Sequence, residues 1–301
     1  MKKSVEFHSD GAVLVGHLYI PEDLQAGEQR PSVVVVSPGS GIKEQTSGRY
    51  ADELHRRGLV ALAFDHRTYG ESEGSPRFDE NPYAKTEDIK NAVSFLGNQS
   101  EVSRDRIGAM GICGGGGYAP YAAATDRRIK AVATVSGMTN NRASFEEMSG
   151  GDRSITQAML DASSAARQSF SRGEPAQYGP VILPADSPHT PEVFTESPNY
   201  YFDDTRGGHP RWENKVLAWS LERQMTFNAL DVIHLIAPRP LLLVVGTESA
   251  SRDQNERAYA AAGEPRELAL IDGASHIDLY DVDRYVTPVA DRLAEFFCKH
   301  L

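Results

Sequence analysis

The sequence predicts an α/β fold with one mostly parallel sheet, helices on both of its faces, and a long insertion. Three observations carry this expectation. Short, largely apolar runs recur at 32–37, 59–64, 106–112, 131–135 and 240–245, the pattern of strands buried on both faces. Segments of helical period alternate with them, as in βαβ units. The rhythm stops between about residues 138 and 235 and then resumes, so one interrupted sheet explains the chain better than two tandem domains.

Taken in order, residues 4–20 read as a hairpin, with Val5 and Phe7 alternating with polar neighbours and Asp10-Gly11 supplying the turn. A buried strand at 32–37 leads to a helix at 47–57, a second strand at 59–64 and an irregular loop at 65–82. A helix follows at 86–96, where Ile89, Val93 and Leu96 share one face. The strand at 106–112 runs into the glycines at 114–117, and the strand at 131–135 ends the first half. Within 138–235 only 154–170 and 212–230 look helical. The second half brings a strand at 240–245, a helix at 255–262, a strand at 267–271 and a closing helix with the stripe Val286, Val289, Leu293 and Phe296. The predicted division is a core of 1–137 and 236–301 with 138–235 as a lid inserted into it.

Composition narrows the function classes. No run approaches the roughly 18 apolar residues of a membrane span, and the basic start has no apolar stretch behind it, so no secretory signal is read. Cys113 and Cys298 are the only cysteines, too few for a disulfide framework and suited to a reducing cytoplasm. A formal charge of −11, spread along the chain, disfavours nucleic acid and anionic membranes. The partner expected is a neutral small molecule, with a homodimer left open. No His-x-x-x-His or His-Glu-x-x-His occurs and no Gly-x-Gly-x-x-Gly opens a βαβ unit, so neither metal nor cofactor is expected.

The chemistry concentrates at Gly111-Ile112-Cys113-Gly114-Gly115. A Gly-x-Cys-x-Gly between strand and helix is what a sharp, strained turn requires to lift one side chain above a sheet. The thiol then sits by a helix N-terminus, which favours the thiolate, and the Gly114 N–H is placed to donate to an oxyanion. A lone cysteine is usually a small buried hydrophobe; here strand, turn, helix and a downstream histidine point to a nucleophile. A phosphate cradle is disfavoured because no Lys-Ser/Thr follows the glycines.

Chain order puts the acid and then the base in loops after later strands. His276, in the loop after the last apolar strand, is the expected base, while His66 and His209 are candidates to line the pocket. Glu248, just past the strand at 240–245, is the favoured orienting acid, with Asp253 as an alternative that also suits a helix cap. The second oxyanion donor is expected at Ser40, between Gly39 and Gly41. The aromatics Phe170, Tyr178, Phe194, Tyr200, Tyr201, Phe202 and Trp212 read first as the insertion's own small core; any that face the site imply a bulky, partly apolar substrate.

The elbow Gly-Ile-Cys-Gly-Gly-Gly-Gly-Tyr, the segment Ala-Phe-Asp-His-Arg-Thr-Tyr-Gly-Glu-Ser-Glu-Gly at 63–74, and Asp-Gly-Ala-Ser-His-Ile-Asp-Leu-Tyr-Asp at 272–281 resemble dienelactone-hydrolase-like α/β-hydrolases, more narrowly their YcjY-like branch. The resemblance implies the α/β-hydrolase fold, a Cys-acid-His triad and hydrolysis of an ester, lactone or thioester. The chain departs from dienelactone hydrolases at Ser37-Pro38, where they carry Gln-Glu, and from the narrower branch at Ala250, where Asp or His is common. The function expected is therefore hydrolysis through a Cys113 thioester. Two rivals are kept: an acyl-transferring, cyclising or C–C bond enzyme of specialised metabolism using the same thiol, and a catalytically silent binding protein.

Overall fold

In the computed structural model, which describes residues 1–183 and 195–301, the apolar runs become strands and share one sheet. Among the described residues the strands are β1 (Lys2–Ser9), β2 (Ala12–Tyr19), β3 (Arg30–Val36), β4 (Val60–Phe64), β5 (Val102–Ile112), β6 (Ile129–Val135), β7 (Tyr178–Gly179), β8 (Val216–Leu217), β9 (Leu241–Gly246) and β10 (Arg266–Ile271). Eight of them form a sheet in the order β1-β2-β4-β3-β5-β6-β9-β10, and β7 pairs with β8 in a separate antiparallel ribbon. From β4 to β10 every pairing is parallel; the opening hairpin joins the sheet antiparallel, through β2 on β4. The hairpin turn works because Asp10 and Gly11 both take positive φ, 45° and 87°, the twist that suits a two-residue connection.

Two apolar layers result from the period-two alternation of buried strands. On β3, Val33 and Val35 join one layer and Val34 and Val36 the other. The first layer is closed by α1 (Thr46–His55) and the C-terminal helix. The second is closed by α2 (Pro82–Leu96) and α3 (Gly115–Thr125). Ile89, Val93 and Leu96 of α2 are buried as the stripe predicts. That helix starts four residues before the expected 86, because Pro82 occupies its first turn and Asn81 caps it by accepting from the Ala84 N–H.

Residues between β6 and β9 contribute no described strand to the large sheet. They hold α4 (Asn141–Met148), α5 (Arg153–Ser171), α6 (Pro198–Tyr201) and α7 (Leu221–Gln224). The expected helix at 154–170 is α5. The expected helix at 212–230 is instead broken into β8, α7 and short 3-10 turns. Its backbone is engaged elsewhere: the Leu217 N–H donates to the Phe78 carbonyl at 2.8 Å and the Ala218 N–H to the Gln177 carbonyl at 2.9 Å. The Asn214 carboxamide meanwhile accepts from the Val181 and Ile182 N–H groups. Among the described residues, only Phe170 of the expected aromatics joins a small core within this segment, packing on Trp219 at 5.3 Å beside Ala166 and Leu217. Tyr200, Tyr201 and Trp212 pack into the layer under α1, Phe202 is exposed, and Phe194 lies outside the described residues. The chain closes with α8 (Arg252–Ala261), α9 (Asp278–Asp281) and α10 (Asp283–His300).

Glycines allow β5 and α3 to pass at backbone contact. A Cβ on Gly111 would meet the Gly115 carbonyl oxygen at 1.9 Å, and one on Gly115 would meet the Ser37 and Val36 carbonyl oxygens at 2.6 Å. Gly115→Ala is therefore expected to destabilise by about 3 kcal/mol or more. Gly179→Ala, where nothing lies within 4 Å of the added carbon, should leave the midpoint of urea unfolding unchanged.

Candidate active site

The tight β5–α3 passage puts the residue between them into a conformation side chains rarely adopt. Cys113 has φ 53°. It is held there by its own N–H donating to the Val135 carbonyl at 3.1 Å, and by its carbonyl accepting from Gly116 and Met138 N–H groups at 2.8 Å. The side chain is only 7% exposed. Burial pushes the thiol up from its ordinary value, and the nearby charge of Glu80 adds to this. The Tyr280 phenol and the Gly114 and Gly39 N–H groups pull it back without cancelling the rise. The resting sulfur is therefore a protonated thiol.

His276 lies in the loop after β10 and is 1% exposed. Its Nδ1 pairs with Ser251 Oγ at 2.9 Å and its Nε2 with the Tyr280 hydroxyl at 3.3 Å. Its carbonyl accepts from Ser136 Oγ at 3.1 Å. Burial alone drives the imidazole down to about 3, so it is neutral. Ser251 in turn pairs with Ser249 Oγ at 3.0 Å.

Two sequence expectations are corrected by this geometry. Glu248 does not reach His276: its side chain is exposed, and only its backbone N–H is engaged, on the Ala274 carbonyl at 3.1 Å. Asp253 is also exposed, in the first turn of α8, where it pairs with Arg257 at 2.9 Å. The partner of Nδ1 is a hydroxyl, because β9 delivers the start of α8, and not the 247–248 turn, against the imidazole. Ser251 was hidden in the sequence because a serine before a helix reads as a cap; it stands at that position but makes no capping hydrogen bond.

The second correction concerns Ser40. Its N–H donates to Glu80 Oε2 at 2.9 Å and is not free for an oxyanion. The turn closes through the Gly41 N–H on the Pro38 carbonyl at 3.0 Å, with Ser40 at φ 60°, and this aims the Gly39 N–H at the sulfur instead. Gly39 and Gly114 are adjacent: a Cβ on Gly114 would lie 2.9 Å from the Gly39 nitrogen. The Gly114 N–H also faces the sulfur.

Glu80, which the sequence reading passed over, fixes that turn. Burial pushes its carboxyl up, but the Lys85 ammonium at 2.7 Å from both oxygens, with the Tyr118 hydroxyl at 2.8 Å and Tyr69, brings it below the ordinary value. A cavity of about 490 Å³ opens beside these groups. Its walls include Cys113, Gly39, Gly114, His276 and Tyr280, with Met138, Phe145, Met148, Met159, Ile182 and Leu217 supplying apolar surface. Tyr178 and Tyr201 also face it, whereas His66 and His209 do not line it. Among the described residues, no lysine or arginine does either.

The chain is similar to several known proteins. Residues 10–177 match the family described as X-Pro dipeptidyl-peptidase (S15 family). The protein PA2218 of Pseudomonas aeruginosa is 38% identical over 97% of this chain and 78% of its own length. Its crystal structure superposes with a TM-score of 0.89, over 100% of this chain and 94% of that one. YcjY of Escherichia coli is 34% identical over 93% of this chain and 92% of its own length. The polyketide transferase grgF of a Penicillium species is 26% identical over 100% and 97%.

Two outcomes are expected. Ser251→Ala should lower kcat/KM about tenfold, the worth of one buried hydrogen bond, whereas Glu248→Gln should leave it unchanged in the same assay. The second concerns stability. The unfolded imidazole of His276 takes up a proton near 6.5 and the folded one only near about 3. The stability from this neutral burial is thus fully present above 6.5 and lost as pH falls toward 3. Denaturant titrations across that window should show a shallower loss for His276→Gln than for the parent.

Proposed function

The chain is an α/β hydrolase of the S15-type family that includes PA2218 and YcjY, and on that premise we propose that it cleaves an ester, lactone or thioester of a neutral, partly apolar small molecule through a thioester on Cys113. The observation that carries the reading is the left-handed Cys113, with two backbone N–H groups aimed at its sulfur and a neutral histidine in the same cavity wall.

In this reading His276 is the base for the Cys113 thiol. The thiolate attacks the carbonyl carbon, and the resulting oxyanion is held by the Gly39 and Gly114 N–H groups. Collapse expels the alcohol or thiol, which takes its proton from the imidazolium. A water activated by His276 then attacks the thioester carbonyl, the C–S bond breaks, and acid and free thiol are regenerated. Residues 138–235 act as a lid: α4 and α5 and the β7–β8 ribbon supply much of the apolar wall, and a wall with no lysine or arginine among the described residues makes an anionic acyl group a poor fit.

A second reading keeps the thioester and replaces water with another nucleophile, giving acyl transfer. It is favoured by the grgF relative, named a polyketide transferase, and by a cavity wall apolar enough to restrict water.

The test is Cys113→Ala against p-nitrophenyl esters and acyl thioesters. Turnover should fall by about a thousandfold or more, and intact-mass measurement of the parent protein should find one acyl adduct, on Cys113. Turnover that survives the substitution rejects the covalent route. An adduct that forms but hydrolyses slowly, and clears on adding an amine or alcohol, selects the transfer reading.

A further inference from the structure

The acid–base machinery of thiol and histidine enzymes is usually drawn as a direct contact between the two. Here Cys113 and His276 form no direct hydrogen bond, and a third side chain in the same cavity wall, Tyr280, adjoins the imidazole. The Tyr280 hydroxyl is 3.3 Å from His276 Nε2 and lines the same cavity as Cys113, near enough to the sulfur to favour the thiolate. Tyr201 lines that cavity too, and Tyr280 acts on its phenol in the same direction. We propose that Tyr280 is a catalytic residue that relays the proton between the Cys113 thiol and the His276 imidazole. The proposal rests on the reading of Cys113 as nucleophile and adds how its proton leaves.

The hydrogen-bonding capacity of a phenol fits these neighbours. It has one proton to give and two lone pairs to receive with. The Tyr280 O–H donates to His276 Nε2, and its oxygen accepts from the Cys113 S–H and the Tyr201 O–H. This direction requires the imidazole proton on Nδ1, where it donates to Ser251 Oγ, whose own proton goes to Ser249 Oγ. Tyr280 and Ser251 thereby each donate and accept, and no carboxylate is needed to set the tautomer.

The step balances. The Tyr280 O–H bond breaks as the Nε2–H bond forms, and the thiol proton moves to the phenol oxygen. The electron pair of the S–H bond stays on sulfur and forms the bond to the substrate carbonyl. Afterwards the imidazolium Nε2–H donates to the Tyr280 oxygen and the Tyr280 O–H donates to the thiolate. Tyr280 is placed for this by α9, where it is the third residue, four past His276. The main chain around it is clamped on α1, where Tyr50 donates to the Leu279 carbonyl at 2.8 Å and Thr46 to the Tyr280 carbonyl at 3.1 Å. The ring stands edge-on to Tyr200 at 5.1 Å, so it has little freedom to swing away. The groups that face the sulfur are Tyr280, Glu80 and Tyr201; those that face the phenol are Cys113, His276, Tyr200 and Tyr201.

The experiment measures acylation of Cys113 by a p-nitrophenyl ester, from the burst of p-nitrophenol, together with its alkylation by iodoacetamide over a range of pH. Tyr280→Phe removes only the hydroxyl. It should slow the burst about a hundredfold and move the midpoint of alkylation to higher pH, matching His276→Ala in both. In the parent protein, the burst rate against the deuterium content of the solvent should curve, as two protons in flight require. Wild-type burst rates and an unmoved midpoint in Tyr280→Phe, with His276→Ala still slow, would overturn the relay while leaving the thioester mechanism standing. A linear deuterium dependence overturns it too, and needs no variant to fold. Turnover that survives Cys113→Ala strikes the underlying reading instead, so the two failures are distinguishable.

Discussion

The left-handed backbone at Cys113 is the constraint on which the rest of the site depends. A φ of 53° is costly for a residue with a side chain, and it persists because three backbone hydrogen bonds and two glycine contacts leave the chain no alternative path. Gly111 and Gly115 let β5 and α3 touch main chain to main chain, so the turn between them is tight enough to lift the sulfur clear of the sheet. The same contact brings α3 against the end of β3. The turn after β3 thus lies beside Gly114, and two N–H groups converge on one point. Geometry that in isolation would be unfavourable becomes the lowest available state once both flanking elements are buried.

The electrostatics of the site follow from how little charge is left free in it. Glu80 is the carboxylate in the cavity wall, and its negative charge is matched by the Lys85 ammonium and by hydrogen bonds from Tyr118 and Ser40. Burial raises the thiol and lowers the imidazole, so both rest neutral. A neutral pair is easier to keep in an apolar cavity than an ion pair, because no desolvation cost has to be offset. On the mechanism proposed above, charge separates only as the carbonyl is attacked, at the point where the two N–H groups can receive it.

The segment between β6 and β9 shows the same division between frame and contents. Its helices and ribbon hold most of the apolar cavity wall, while Tyr200, Tyr201 and Trp212 tie it into the layer under α1. Its described residues pack largely into the main layers, with a small cluster of Ala166, Leu217 and Trp219 of their own, and its aromatics could not have been assigned from spacing alone. Some belong to the main core, Tyr178 and Tyr201 face the cavity, and Phe202 faces solvent.

What could be read directly from the chain is whatever local rules enforce. The buried strands and the stripes of α2 and α10 follow from hydrophobic period, and the hairpin from Asp10-Gly11. The prominence of Cys113 follows from glycines at fixed offsets, and that of His276 from its place in the strand order. What the sequence could not determine is which loop residue touches which. Ser40 has a better claim than its neighbour Gly39 by spacing alone, until Glu80, forty residues away from Ser40, takes its N–H. Glu248 and Ser251 are both in reach of the end of β9 until the turn into α8 swings the first outward and the second against His276. Tyr280 had a faint signal in its spacing of four from His276, but only the clamp of α9 on α1 sets its hydroxyl against the imidazole in the cavity that Cys113 lines. Periodicity is a property of neighbouring residues and survives in one dimension. The partner of a loop side chain is decided by the relative position of whole elements, and that exists only once the sheet has formed.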